Sequence, residues 1–192
     1  MSPELLRGLD WLIHHFKTAG PRVVSDAHDT PPVLVYTDGA CEDNGTTVGG
    51  ILFQQGEKPQ CFGARLSKQT VDGWLTKEAQ TQVIGQAEIF PLLIARLTWP
   101  LALANKRVLY FIDNEAARIG MVRAYSPVGP SLDLIQACLG WDYQHHSQGW
   151  YARVCSYSNC ADEPSRMVRP TTADCIVVPP VFPSGHSPDS IL

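Results

Sequence analysis

An α/β fold is the class this sequence predicts, and three observations predict it. Apolar runs rich in β-branched and aromatic residues stand at 33–37, 48–53 and 107–112, each of strand length. Longer stretches of helix-forming residues lie between the later runs, and glycine- or proline-rich breaks separate them. The resulting order is three strands, helix, strand, two helices, strand, helix, with one more helix ahead of them all.

Taken in order, Ser2-Pro3-Glu4 opens a helix with a serine cap, a proline in the first turn and an acid that complements the dipole. Leu5, Leu6, Leu9, Trp11, Leu12, Ile13 and Phe16 give it a broad apolar face that needs a partner surface. Gly20-Pro21 ends it, and 25–32 reads as a polar linker. Val33-Leu34-Val35-Tyr36-Thr37-Asp38 is the first strand. It breaks into a glycine-punctuated loop and resumes at Val48-Gly49-Gly50-Ile51-Leu52-Phe53, a hairpin with an acid at its mouth. Residues 60–64 form a third strand and 79–97 a long helix carrying Glu88. Pro91 falls inside that helix without an amide hydrogen to give, so a kink or a late start is expected. Strand 107–112 ends in Asp113, a helix runs from Glu115 to about 124, and Ser126-Pro127-Val128-Gly129-Pro130 is a loop. A helix over 131–145, a strand over 150–155 and a last helix opened by Asp162 complete the core. Beyond Arg166 the chain is rich in Pro, Ser and Thr and reads as a mostly irregular tail, with Cys175-Ile176-Val177-Val178 the stretch able to pin it to the body.

The division expected is an N-terminal helix and linker over 1–30, a core domain over 31–168 and a Pro-rich tail over 169–192. With 192 residues there is enough chain for one sizeable core. No apolar run reaches membrane-spanning length and no export signal opens the chain, so an intracellular protein with no membrane partner is expected. The six cysteines show neither a Cys-x-x-Cys pair nor a Cys/His ligand set, which suggests reduced, mostly buried thiols and neither zinc nor a disulfide framework. The net charge of −4 is low for a partner of polyanions. Lys68, Lys77, Lys106, Arg107, Arg118, Arg123, Arg153, Arg166 and Arg169 are nevertheless available to gather on one face.

Four acids stand in four different settings: Asp38 and Asp113 at strand ends, Glu88 within a helix, Asp162 at a helix start. Singly, each reads as a cap or a solvated loop residue. Brought together from distant elements they would repel one another unless divalent cations sat between them.

These residues carry a resemblance to the ribonuclease H family. Tyr36-Thr37-Asp38-Gly39-Ala40-Cys41-Glu42-Asp43-Asn44-Gly45 with Gly49-Gly50 resembles its first strand and turn. Gln86-Ala87-Glu88 with Leu92 and Leu93 is similar to its helical glutamate segment, Ile112-Asp113-Asn114 to its second aspartate strand, and Asn159-Cys160-Ala161-Asp162 to the start of its last helix. The four motifs occur in family order, and Pro164-Ser165-Arg166 after them is similar to ribonuclease H domains of reverse-transcribing elements. The resemblance implies a ribonuclease H-like α/β fold, a five-stranded mixed sheet with helices on both faces. It implies an endonuclease that hydrolyses the RNA strand of RNA/DNA hybrids with two Mg²⁺ ions, Mn²⁺ being an alternative. Asp38 would bridge both ions, Glu88 and Asp113 would hold the ion near the leaving group, and Asp162 the ion that activates water. Cys41, Asn44, Gln86 and Asn114 would contact the hybrid. A turn-forming role for Asn44 and a capping role for Gln86 are equally good readings of those residues. The leader resembles the segment joining a polymerase to its ribonuclease H domain in reverse transcriptases, a helix that packs on this domain being an equally good reading of it, so the partners implied are the hybrid and such a polymerase domain, with the chain itself a monomer.

Two departures from the family stand out. The segment Val154-Cys155-Ser156-Tyr157-Ser158-Asn159-Cys160 lacks the loop histidine that many members carry before the last aspartate. The link between the two middle helices carries no Lys or Arg where some members have a basic grip. A resolvase, transposase or exonuclease of related fold, or a non-catalytic nucleic-acid-binding domain, are the alternative functions.

Overall fold

The alternation that predicts the strands also sets which side of the sheet each residue faces. In the computed structural model, which describes residues 2–21, 31–43, 45–75, 83–171 and 174–192, helix α1 spans Pro3–Thr18 and is followed by β1 (Val33–Glu42), β2 (Gly45–Phe53) and β3 (Gln60–Leu66). Next come α2 (Lys68–Trp74), α3 (Ile84–Thr98), the one-turn α4 (Pro100–Leu103), β4 (Arg107–Ile112), α5 (Glu115–Arg123), α6 (Gly129–Gln144) and β5 (Gln148–Arg153). A 3-10 turn at Ser156–Ser158 leads into the four-residue α7 (Asp162–Ser165), and two short strands, β6 (Ile176–Val177) and β7 (Pro188–Ile191), close the chain.

The sheet is mixed, in the order β5-β4-β1-β2-β3-β6 with β7 also on β3. β1 runs antiparallel to β2 and parallel to β4, and β4 runs parallel to β5. The five expected strands and the expected mixed α/β architecture are therefore present. The tail, expected to be mostly irregular, adds two strands: β6 pairs parallel with Gln60–Cys61 and β7 antiparallel with Ala64–Leu66. Helix α2 was not expected. It is about two turns long, fastened by the Ser67 side chain accepting from the Thr70 amide and by burial of Thr70 and Trp74. The described part of α3 begins at Ile84 with Pro91 inside it, and the expected start at 79 lies outside the described residues.

Helices cover both faces of the sheet, and glycine decides how closely. Asp38, Gly49 and Gly63 form one row across β1, β2 and β3. A Cβ at Gly49 would stand 2.2 Å from the Ser165 amide nitrogen and one at Gly63 2.3 Å from the Pro164 carbonyl, so α7 lies backbone to backbone on the sheet. On the opposite face a Cβ at Gly39 would stand 2.2 Å from the Ala87 carbonyl oxygen, which brings α3 equally close to β1. Beneath α3 and α6 the core holds Phe62, Phe90, Leu92, Ile94, Tyr110 and Ile135. One charged group crosses it. Arg96 is fully buried, donates from Nε and Nη2 to Asp142 at 2.9 and 2.8 Å, from Nη2 to the Tyr151 hydroxyl at 3.0 Å and from Nη1 to the Leu92 carbonyl at 2.8 Å, and lies over the Tyr110 ring. α1 leans on α6 through the Arg7–Asp133 pair at 3.4 Å and the His15–Tyr143 ring contact, with Phe16 80 % exposed.

Candidate active site

β1 carries Asp38 within the strand, opposite Gly49 of β2; the strand end and loop expected after Asp38 are absent, because residues 39–42 continue the ladder against 45–48. The parallel neighbour β4 ends one residue before Asp113, and α3 passes over Gly39. The close approach that Gly39 permits is what brings a helical acid to Asp38 within β1 and to Asp113 just past the end of β4. One carboxylate oxygen from each of Asp38, Glu88 and Asp113 lies within 4.8 Å of the others. Asp38 and Glu88 are each only 6 % exposed.

Burial and like charge act together on these groups. The Glu88 carboxyl is pushed up to about 9, first by desolvation and then by Asp38 and Asp113, against hydrogen bonds from the Gly39 amide and the Asn114 side chain. Asp38 is pushed up to about 6 by desolvation, with Asp113 and Asp162 adding to the rise while the Ser165 hydroxyl and Arg166 oppose it. The Ser165 hydroxyl has one hydrogen and two neighbours that accept, Asp38 Oδ2 and the Asp162 carbonyl at 2.9 Å.

Two buried oxygens of the cluster, Glu88 Oε2 and Asp113 Oδ1, have no hydrogen-bond partner. Orphaned carboxylate oxygens are costly in a protein interior, and a hard divalent cation both removes the repulsion among the acids and supplies the missing partner. The donor set is all oxygen, which suits Mg²⁺ or Mn²⁺ better than softer metals.

The fourth acid is placed differently. Asp162 begins α7, close enough for its charge to raise Asp38, yet its Oδ1 accepts from Arg166 Nε at 2.9 Å, and Arg166 Nη1 donates to Glu42 Oε1 at 2.6 Å. Asn159 ties this segment to β1, donating from Nδ2 to the Thr37 carbonyl at 3.0 Å and accepting from the Ala161 amide at 3.2 Å. Among the residues expected to meet substrate, Asn114 caps α5 by accepting from the Ala117 amide at 3.0 Å while its side chain also reaches Glu88. Cys41 is exposed beside Thr46, with Sγ and Oγ1 3.7 Å apart. Gln86 is buried, donates to Ser131 Oγ at 3.0 Å, and has an Oε1 without a partner. Asn44 and Lys77 lie outside the described residues. Of the cations expected to gather on one face, Arg118 and Arg153 both pair with Glu115, at 2.7 and 4.0 Å, next to the Asp113 end of the cluster.

Sequence reasoning missed Ser165 and Arg166 as neighbours of the acids. Their signal is the i+3 and i+4 spacing from Asp162, which on a helical turn returns both side chains toward that residue.

Neither a family model nor a curated protein matches this chain. Solved structures do. A ribonuclease H1 isolated from compost by a metagenomic approach aligns with a TM-score of 0.51 at 14% identity, over 71% of this chain and 94% of that one. The N-terminal ribonuclease H domain of a Mycobacterium tuberculosis protein, solved as a fusion with maltose-binding protein, aligns at 0.45 and 17% over 70% and 91% of the two chains. Ribonuclease H1 of Halobacterium salinarum aligns at 0.45 and 15% over 71% and 92%. Strand order, the helices on both faces and the match at a TM-score of 0.51 together give this chain the ribonuclease H fold.

Proposed function

We propose that the protein is a divalent-cation-dependent endonuclease that hydrolyses the RNA strand of RNA/DNA hybrids. The observation that carries this reading is the convergence of Asp38, Glu88 and Asp113 from two strands and a helix, with two buried oxygens left unpartnered. Asp38, Glu88 and Asp113 would hold one ion, and Asp38 with Asp162 a second. Mg²⁺ bound there would supply positive charge to the attacking water and the leaving 3′ oxygen of a phosphodiester displacement, giving 5′-phosphate and 3′-hydroxyl ends. The chain's own contribution is placement. Ser165 and the Gly39 amide orient Asp38 and Glu88, and Asn114 fixes Glu88 from the side of β4. Cys41 near the end of β1 would meet the minor groove of the hybrid together with Asn44, where 2′-hydroxyls distinguish the RNA strand.

The test is cleavage of a labelled RNA/DNA hybrid with Mg²⁺, set against single-stranded RNA, duplex RNA and duplex DNA. Hybrid-specific cutting, lost by a factor of 10² or more in Asp113→Asn, is the expected outcome. A folded protein that leaves the hybrid intact with both Mg²⁺ and Mn²⁺ would overturn the reading.

A further inference from the structure

Arg166 holds an unusual position for a cation. It follows α7, whose backbone rests on Gly49 and Gly63, so its Cα is fixed against the sheet while its side chain is half exposed. Its guanidinium spans two acids from distant segments, Asp162 at 2.9 Å and Glu42 at 2.6 Å, and its charge reaches Asp38 as well. A divalent cation taking Asp162 as a ligand would compete for the oxygen that Arg166 now donates to, and two cations at one carboxylate repel. A guanidinium fork released from a carboxylate fits one other partner of the same shape and charge, a phosphate.

We propose that Arg166 is a positioning residue that exchanges partners. While no divalent cation is held it neutralises Asp162 and Glu42. When Asp162 takes up a cation, Arg166 swings to a phosphate of the substrate strand lying over the acids. This rests on the nuclease reading above, and it goes further by assigning a cation of this chain to the substrate backbone and to the metal affinity of the site.

The two halves of the exchange move in opposite directions on substitution, which a merely structural role would not do. Mg²⁺ binding is measured by calorimetry at pH 8, without nucleic acid, on the parent, Arg166→Gln and Arg166→Lys, and KM and kcat for hybrid cleavage are measured on the same three. Arg166→Gln is expected to bind Mg²⁺ about three- to tenfold more tightly, because a competing positive charge is gone. Its KM for the hybrid is expected to rise roughly tenfold. Arg166→Lys keeps the charge without the fork, so its Mg²⁺ affinity stays within about twofold of the parent and its KM is restored in part. Unchanged or weaker Mg²⁺ binding by Arg166→Gln, or an unchanged KM, overturns the exchange. A parent protein that binds no divalent cation at all overturns the nuclease reading itself, a result told apart at the first titration. Should Arg166→Gln unfold, Arg166→Lys still decides, since a KM equal to the parent's would remove the need for the fork.

Discussion

Among the acids of the cluster, Glu88 is shifted furthest from its ordinary value. Its carboxyl sits at about 9 and that of Asp38 at about 6, both above their values in an unfolded chain. Between about pH 4 and pH 9 the folded state therefore holds more protons than the unfolded state, and stability falls as pH rises through that window. Thermal unfolding without divalent cations should show a lower midpoint at pH 8 than at pH 5, and Mg²⁺ should raise the midpoint more at pH 8. Asp38→Asn removes one of the repelling charges and should stabilise the cation-free protein at pH 8 by roughly 1–2 kcal/mol, or about 2–8 °C. Equal midpoints for parent and variant at both pH values would show that the acids do not repel as described. The elements that carry these acids were legible in the sequence, because β-branched runs and helix formers announce them, although Asp38, expected at a strand end, lies within β1. The residues that support them were not. Ser165 and Asp38 are 127 positions apart, and Arg96 and Asp142 are 46 apart, so only the folded chain reveals those pairs.

Among the elements, α7 shows how little helix a site needs when the surface beneath it is bare. Four residues have no helical stability of their own, and the turn persists because Gly49 and Gly63 let its backbone touch the sheet. Gly49→Ala would force backbone against backbone, with no flexible side chain to give way. A loss of about 2–4 kcal/mol is expected, with hybrid cleavage falling further than the stability loss accounts for. Gly140→Ala in α6, where nothing lies within 4 Å, is the control and should be neutral or stabilising by roughly 0.5–1 kcal/mol. Chemical denaturation of the two variants checks both, and equal behaviour would remove the glycine seat from the account. Element order was readable from pattern, yet the alignment of Asp38, Gly49 and Gly63 in one row depends on strand register, which pattern leaves open. The short elements α2 and β7 were missed for a related reason: capping, edge pairing and burial hold them, and propensity does not, whereas β6 falls on the apolar stretch expected to pin the tail.

For the molecule as a whole, the Arg96–Asp142 pair joins α3, α6 and β5 across the core, with Tyr110 and Tyr151 closing around it. Arg96→Leu would strand the buried Asp142 carboxylate and should cost about 3–5 kcal/mol, whereas the double change Arg96→Met with Asp142→Leu should recover most of that loss. Urea denaturation of the single and double variants separates a stranded charge from lost packing, since a double variant as unstable as the single one would point to packing. The tail has a consequence of a different kind. The outer side of β3 is shared by β6, which runs parallel to it, and β7, which runs antiparallel, so the rim of the sheet reverses direction within a few residues. A foreign strand arriving there finds no continuous ladder to copy in either direction, and self-association by strand addition is discouraged at this rim by chain direction alone.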